Sequence, residues 1–231
     1  MNQLAPVIAI DGPSGSGKGT ISRLVAQQLG WHHLDSGALY RILAHAAAEA
    51  HIEADEPGRI AALAPTLAIR FVPDEDDGRI LLNGRDVTAA VRAEACGNAA
   101  SKIAVLSEVR AALVDLQRRF REPPGLVADG RDMGTAIFPD AETKIFLTAS
   151  ARERAERRHK QLNKKGLSVS LERLLRDLEE RDRRDAERPI SPLLPAPDAQ
   201  VVDTTAMPIE AVVEKVLSLA HDVPTFSGGG K

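Results

Sequence analysis

Short apolar runs alternate with longer stretches in which apolar residues recur at helical spacing. Val7-Ile8-Ala9-Ile10 is a continuous apolar run, as a parallel strand covered on both faces requires. Ile21, Leu24, Val25 and Leu29 follow at helical spacing, and Gly30 suits the end of that helix. Trp31 to Leu34 predicts a second strand, and an alanine-rich helix is expected from about Ala38 to Ala50. In the middle, Ile69 to Val72 and Ile80 to Leu82 flank the turn-rich run Pro73 to Gly78. Asn83-Gly84 then offers a second tight turn into Asp86-Val87. This small antiparallel meander breaks the βα rhythm and reads as an insertion. One long helix is expected from about Ala99 to Arg121, stopped by Pro123-Pro124-Gly125. Leu126-Val127-Ala128, Lys144 to Leu147 and Gln200-Val201-Val202 then read as buried strands. Helices are expected over Arg152–Gln161, Leu171–Arg188 and Ile209–His221. The alternation implies an α/β protein with a parallel sheet and helices on both faces.

Composition narrows the class. A chain of 231 residues allows one enlarged domain or a core with a small attachment, and needs no disulfides to fold. The single cysteine, Cys96, excludes an internal disulfide and a multi-thiolate metal site, and sets a reducing, cytoplasmic compartment as the expectation. No apolar run approaches the roughly 18 residues that span a bilayer, and Met1 to Asp11 lacks a basic leader. A net charge of −3 and only 3% aromatic residues argue against nucleic-acid binding. Neither nucleic acid nor membrane is therefore expected as a partner, and a monomer is expected because no exposed apolar stripe demands a neighbour. The glycine-rich end Ser227 to Lys231 is expected to be a flexible tail.

The candidate chemistry begins right after the first strand. Gly12-Pro13-Ser14-Gly15-Ser16-Gly17-Lys18-Gly19-Thr20 joins that strand to the first helix, the context a phosphate-binding loop requires. Glycines let successive backbone N–H groups turn inward at phosphate oxygens, the helix N-terminus adds positive potential, and Lys18 adds a full charge. The general pattern places Ser or Thr directly after the lysine as a magnesium ligand; here Gly19 stands there, with Thr20 next. No loop hydroxyl is therefore expected to ligate the ion directly. A guanine-reading Asn-Lys-x-Asp is also missing, because Asn163-Lys164-Lys165 runs into Gly166.

Transfer between two phosphorylated molecules needs a second anion site, for which arginine is the suited residue. Asp35 to Arg41 joins the second strand to its helix, with Ser36 able to cap that helix or touch a phosphate. Asp129-Gly130-Arg131-Asp132-Met133-Gly134-Thr135 follows another strand: Asp129 is placed to order metal-bound water, while Arg131 and Asp132 offer a cation for phosphate and an acceptor for an amino group. Read blandly, that segment is a turn with an internal salt bridge. Arg181, Asp185 and Arg188 share one helix face at i, i+4 and i+7, and Asp185 is expected to fix the two arginines. His32 and His33 are expected to pack or cap rather than ligate metal, and Cys96 to pack as a small apolar helix residue.

Taken together, Ile10-Asp11-Gly12 through Thr20, Asp35 to Arg41, Asn98 to Ser101 with Val109-Arg110, Asp129 to Thr135, and Glu180 to Arg188 resemble the bacterial cytidylate kinases, a family of phosphate-loop nucleoside monophosphate kinases. The motifs match in order and spacing over nearly the whole chain, and the insertion near residues 69–87 resembles the extra small sheet of bacterial members. The resemblance implies a five-stranded parallel kinase sheet with a β insertion in the nucleotide-acceptor region and a helical lid. Its segments are a core over 1–35, an acceptor-binding region over 36–102, core over 103–150, a lid over 151–168, core over 169–222 and a tail over 223–231. It implies transfer of a phosphoryl group from ATP, with Mg2+, to CMP or dCMP. Gly12, Pro13, Ser14, Gly15, Ser16, Gly17, Lys18, Gly19 and Thr20 would hold ATP. Ser36, Arg41, Ser101, Arg110, Arg131, Asp132, Arg181, Asp185 and Arg188 would line the acceptor site. Within it, Ser101, Arg110 and Asp132 match positions tied to cytosine, Asp185 is placed toward the sugar, and Arg41, Arg131 and Arg188 lie near the acceptor phosphate. Lys18, Arg131 and Arg188 are the expected catalytic groups; Arg157 and Arg158 fall where the family has its lid. Two rival readings are a phosphate-loop kinase for another nucleotide or small metabolite, and a non-enzymatic nucleotide switch.

Overall fold

The computed structural model describes residues 4–72, 78–164 and 166–221. Its strands are β1 (Val7–Asp11), β2 (His32–Asp35), β3 (Ile69–Val72), β4 (Arg79–Leu82), β5 (Arg85–Asp86), β6 (Leu126–Gly130), β7 (Thr143–Thr148) and β8 (Gln200–Asp203). Its helices are α1 (Lys18–Leu29), α2 (Ser36–Glu49), α3 (Pro57–Leu63), α4 (Thr88–Arg92), α5 (Glu94–Ile103), α6 (Ser107–Arg118), α7 (Ala151–Lys164), α8 (Leu171–Glu187) and α9 (Ile209–His221). A π-helical segment, Met133–Ile137, follows β6. The chain divides into two compact units, Met1–Asp35 with Gln117–Lys231, and Ser36–Leu116.

The first unit is built on a parallel sheet of order β2-β6-β1-β7-β8. β1 lies at its centre with all five residues buried, which explains why its sequence is an unbroken apolar run up to Asp11. Ile21, Val25 and Ala26 of α1 and Val212, Val213, Val216 and Ala220 of α9 join Ile8, Ile10, Val127, Ile145 and Leu147 of the sheet in one core. The register sets Asp35 beside Asp129 and Asp11 beside Gly130, so three carboxylates end adjacent strands at the same edge of the sheet. That edge, at the strands' carboxyl ends, is where such sheets bind ligands. α7 and α8 pair through Ala155, Leu162, Leu174 and Leu178.

The second unit packs α2 against α5 and α6 through Leu43, Ala47, Ala100, Ile103, Val109 and Leu113. A smaller core of Ile42, Ile80, Leu82, Val87 and Val91 anchors the antiparallel sheet β3-β4-β5. Its second turn has left-handed backbone at both Asn83 (φ 50) and Gly84 (φ 80), the geometry that closes a two-residue hairpin. Residues 73–77 of the expected first turn lie outside the described residues, as does the expected tail over 223–231.

One local expectation changes, and a helix forms where none was expected. The single helix from Ala99 to Arg121 is two helices, with Ala104 to Leu106 between them, where the Arg110 N–H restarts the ladder on the Leu106 carbonyl. The break brings Ile103 and Val109 into the same core, and no Gly or Pro marks it in the sequence. α3 forms over Pro57–Leu63, with a proline at its start and Ile60 as its buried contact. Among the described residues, no helix is long and apolar enough to cross a membrane.

Candidate active site

The turn between β1 and α1 begins with a close approach of backbone to backbone. Gly12 has φ +154°, and a Cβ there would lie 2.1 Å from the Leu147 carbonyl oxygen, so no other residue fits. Gly17 caps α1 in the left-handed region, and the first turn of the helix carries no acidic residue, leaving its N–H groups and positive potential for an anion. Lys18 curls back over this turn, donating to the Pro13 carbonyl at 3.1 Å. Burial pulls its ammonium down to about 8, and the nearby Arg131 charge acts in the same direction, opposed by Asp129, Asp35 and Asp185. Ser16 is buried, and its Oγ has no hydrogen-bond partner.

Gly19 has a specific neighbour. A Cβ there would lie 3.1 Å from Asp129 Oδ2, so the carboxylate stands where a residue larger than glycine would project. Burial pushes Asp129 up to about 7 despite Lys18 beside it, with Asp35 and Asp11 adding to the rise. The Ser22 hydroxyl lies 3.4 Å from Asp129 Oδ2 and 3.0 Å from His33 Nε2. This serine–histidine–carboxylate contact is no nucleophilic triad, because Ser22 is wholly buried under the sheet edge. His33 is held below its ordinary range by burial. His32 contacts the Pro123 carbonyl oxygen at 2.9 Å and Cys96 donates to the Arg41 carbonyl, so each serves packing.

Asp185 of α8 has a partner from outside its own helix: Arg131 Nε, in the loop after β6, donates to it at 2.7 Å. Arg188 sits just past the end of α8 with extended backbone, donating to the Ser191 carbonyl and lying 3.4 Å from Asp132. The Arg131-Asp132 turn is thus not an internal salt bridge: each of its charges is met by a partner from the α8 end. Sequence spacing puts residues on one helix face, but the choice of partner belongs to the sheet edge that the helix reaches. Arg181 is buried on the same helix.

Of the remaining candidates, Ser36 is the buried first residue of α2. Arg41 Nη1 donates to the carbonyls of Val91 and Ala93. The Ser101 Oγ on α5 is shielded and has no partner. Buried Arg110 on α6 reaches the Tyr40 hydroxyl and the Ala104 carbonyl, both at 3.4 Å. These four belong to the second unit, while Lys18, Arg131, Asp132, Arg181, Asp185 and Arg188 belong to the first.

Other residues at this edge were not among the site residues expected from sequence, although Arg157 falls in the expected lid. Arg154 of α7 is buried, donates to the Ser14 carbonyl at 2.8 Å, and pairs through both Nη atoms with the two carboxylate oxygens of Asp182. Arg157 reaches the Thr204 hydroxyl at 3.1 Å and carbonyl at 2.6 Å, and Thr204 in turn donates to the Ser16 carbonyl. Such links from α7 and the loop after β8 fix the shape of the glycine turn. Asp11 accepts from Met133 and Gly134 across the sheet. Nothing local in the sequence pairs these residues, which stand 28 to 188 positions apart.

A glycine turn opening a helix at the edge of a parallel sheet, a buried lysine over it, and ion-paired arginines beside that lysine define a phosphate-loop phosphotransferase. Comparison with known proteins refines the class. The family model described as cytidylate kinase matches residues 8–222, and the chain belongs to the cytidylate kinase family. The cytidylate kinase of Aeromonas hydrophila subsp. hydrophila is 55% identical over 221 residues, covering 96% of both chains. That of Shewanella loihica is 52% identical over 219 residues, covering 94% of this chain and 95% of its own. That of Serratia proteamaculans is 51% identical over 223 residues, covering 96% and 97%. The chain is therefore an enzyme, a phosphotransferase of the nucleoside monophosphate kinase class.

Proposed function

We propose that this enzyme transfers the γ-phosphoryl group of ATP to CMP or dCMP, giving ADP and CDP or dCDP, and that it works as a cytoplasmic monomer. The observation that carries the reading is the arrangement at the first unit's sheet edge. A lysine-topped amide turn lies within electrostatic reach of Arg131, whose pairing with Asp185 stands next to the Asp132–Arg188 pair. One element suits a polyphosphate and the other a nucleotide carrying its own phosphate.

An oxygen of the acceptor phosphate attacks the γ-phosphorus in line, and the bond from that phosphorus to the oxygen bridging it to ADP breaks. The second ionisation of a phosphate monoester falls near 6, so the nucleophile is already charged at neutrality and no general base is required. The loop amides and Lys18 hold the donor. Arg131 and Arg188, kept in place by Asp185 and Asp132, stabilise charge on the equatorial oxygens of a loose transition state. Gly12 to Thr20 are assigned to ATP. Ser36, Arg41, Ser101, Arg110, Arg131, Asp132, Arg181, Asp185 and Arg188 are assigned to the acceptor, with Asp132 accepting the amino group of cytosine. Residues 151–168 are assigned as the lid, their arginines Arg154 and Arg157 bonding the carbonyls of the glycine turn.

Magnesium suits this edge. Asp129 is a buried carboxylate pushed up to about 7 with Asp35 and Asp11 near it, an excess of negative charge that a hard cation relieves. Among the described residues no group of three or more His, Cys, Asp or Glu stands ready to cage an ion. The ion is assigned to the ATP phosphates and water, with Asp129 able to order that water and Gly19 contributing no ligand. Bound with ATP, Mg2+ would supply neutralisation of phosphate charge.

The test is ADP release with CMP, dCMP, UMP, AMP and shikimate as acceptors. CMP and dCMP are expected to turn over fastest. Equal or greater turnover with AMP or shikimate, or none with any acceptor, overturns the reading.

A further inference from the structure

Asp132 stands at the N-cap of the π-helical segment Met133–Ile137, the position where an aspartate ordinarily accepts N–H groups of the first turn. Its side chain makes no such bond. Those N–H groups are instead taken by Asp11 at the end of β1: Met133 donates to Oδ1 at 2.8 Å and Gly134 to Oδ2 at 2.9 Å. Both bonds span more than 120 positions and are buried. The Asp132 carboxylate, outside the cap, lies 3.4 Å from Arg188.

We infer that Asp11 is a positioning residue for acceptor specificity: by capping Met133 and Gly134 from a neighbouring strand, it keeps the Asp132 carboxylate turned toward the base rather than toward its own helix. This rests on the reading above that Asp132 accepts the cytosine amino group. Without both Asp11 oxygens, one first-turn N–H is left buried and unpaired, a costly state that Asp132, as the N-cap residue, relieves by rotating into the cap. A cytosine amino group then loses its acceptor. Uracil presents a carbonyl at that place and has nothing to lose, so discrimination between the two bases falls while phosphoryl transfer itself need not.

The charges facing Asp11 are Lys18 at the start of α1, Asp132 beyond β6, and Asp129 on β6. Burial raises Asp11 to about 6, against the lowering effect of its two N–H donors. Above that pH it is ionised and accepts both bonds; below it, protonation removes acceptor capacity. Discrimination is therefore present near pH 7.5 and falls as pH drops through 6.

The experiment measures kcat/KM for CMP and for UMP in the wild type, Asp11→Asn, Asp132→Ala and the double variant. In Asp11→Asn the CMP-to-UMP ratio is expected to fall at least tenfold, with KM for ATP within about twofold of wild type. The double variant is expected to discriminate no worse than Asp132→Ala alone, because both changes remove the same contact. The wild-type ratio is expected to fall about fourfold from pH 7.5 to 5.5, following the ionised fraction of a group titrating at about 6, and to stay flat in Asp11→Asn. Both acceptors carry the same phosphate, so its titration and any effect on the transfer step cancel in the ratio. An unchanged ratio in folded Asp11→Asn, or additive losses in the double variant, overturns the inference. If Asp11→Asn does not fold, a pH-independent wild-type ratio overturns it and the fourfold fall supports it. A wild type that fails to prefer CMP over UMP instead sinks the assignment of Asp132 to cytosine.

Discussion

Lys18 is held under strain when no anion is bound, and Lys18→Met exposes this. In the folded chain burial lowers its ammonium from 10.5 to about 8. That difference disfavours the charged form by about 3 kcal/mol at pH 7, where both the folded and unfolded states are protonated. Methionine has similar length and no charge; it removes that penalty but gives up the bond to the Pro13 carbonyl, worth about 1 kcal/mol. The unliganded variant is therefore expected to be more stable than wild type by about 2 kcal/mol at pH 7, or about 4–8 °C in Tm for a chain of this size. As pH rises through 8 the folded lysine sheds its proton and the penalty shrinks, vanishing above the unfolded value of 10.5. The advantage of the variant should accordingly disappear by about pH 10. The same substitution removes charge from the transferring phosphoryl group and should slow turnover by about a hundredfold or more. Urea unfolding of both proteins at pH 7 and pH 10, with turnover measured alongside, tests this. A folded variant less stable than wild type at pH 7, or a difference unmoved between the two pH values, refutes the reasoning.

Three further outcomes are expected. ATP binding should restore Lys18 toward its ordinary range, so calorimetry in buffers of differing ionisation enthalpy should register uptake of about three-quarters of a proton at pH 8.5; binding with no proton uptake contradicts this. Asp182→Ala strands the buried Arg154 and should destabilise by about 2–4 kcal/mol, while raising KM for ATP more than KM for the acceptor, because Arg154 also bonds the Ser14 carbonyl. Equal changes in both KM values count against a role at the glycine turn. Gly125→Ala places a Cβ 2.4 Å from the Trp31 ring and should cost about 1–3 kcal/mol in a denaturation measurement, with kcat of the folded enzyme unchanged.

Wherever a feature depended on neighbours in sequence, it could be read from the chain. The β1–turn–α1 unit is one such case: apolar run, glycines and helical repeat lie within 23 residues, and the glycine conformations follow from close approach at Gly12 and the cap at Gly17. The central strands β1 and β6 were visible as apolar runs because a parallel strand inside the sheet is buried on both faces, whereas β8, expected as a buried strand, is an edge strand with only Val202 buried and Val201 exposed. The α5–α6 break was not, because Ala104 to Leu106 are compatible with helix and only the shared core of Ile103 and Val109 decides against continuity.

At the candidate site the same division holds. The positions of Arg131, Asp132, Asp185 and Arg188 at strand and helix ends were legible from local pattern, but the pairing of Arg131 with Asp185 across 54 positions was not. Asp11 and Arg154 attracted no role from sequence because their partners are 122 and 28 residues away. By itself the sequence determined the elements, the phosphate-binding turn and the identity of the charged groups, since backbone propensity and hydrophobic period act over a few residues. Only the tertiary structure decided which carboxylate meets which arginine and which N–H groups Asp11 takes, because burial at one sheet edge forces every polar group to find a partner from whatever segment arrives there.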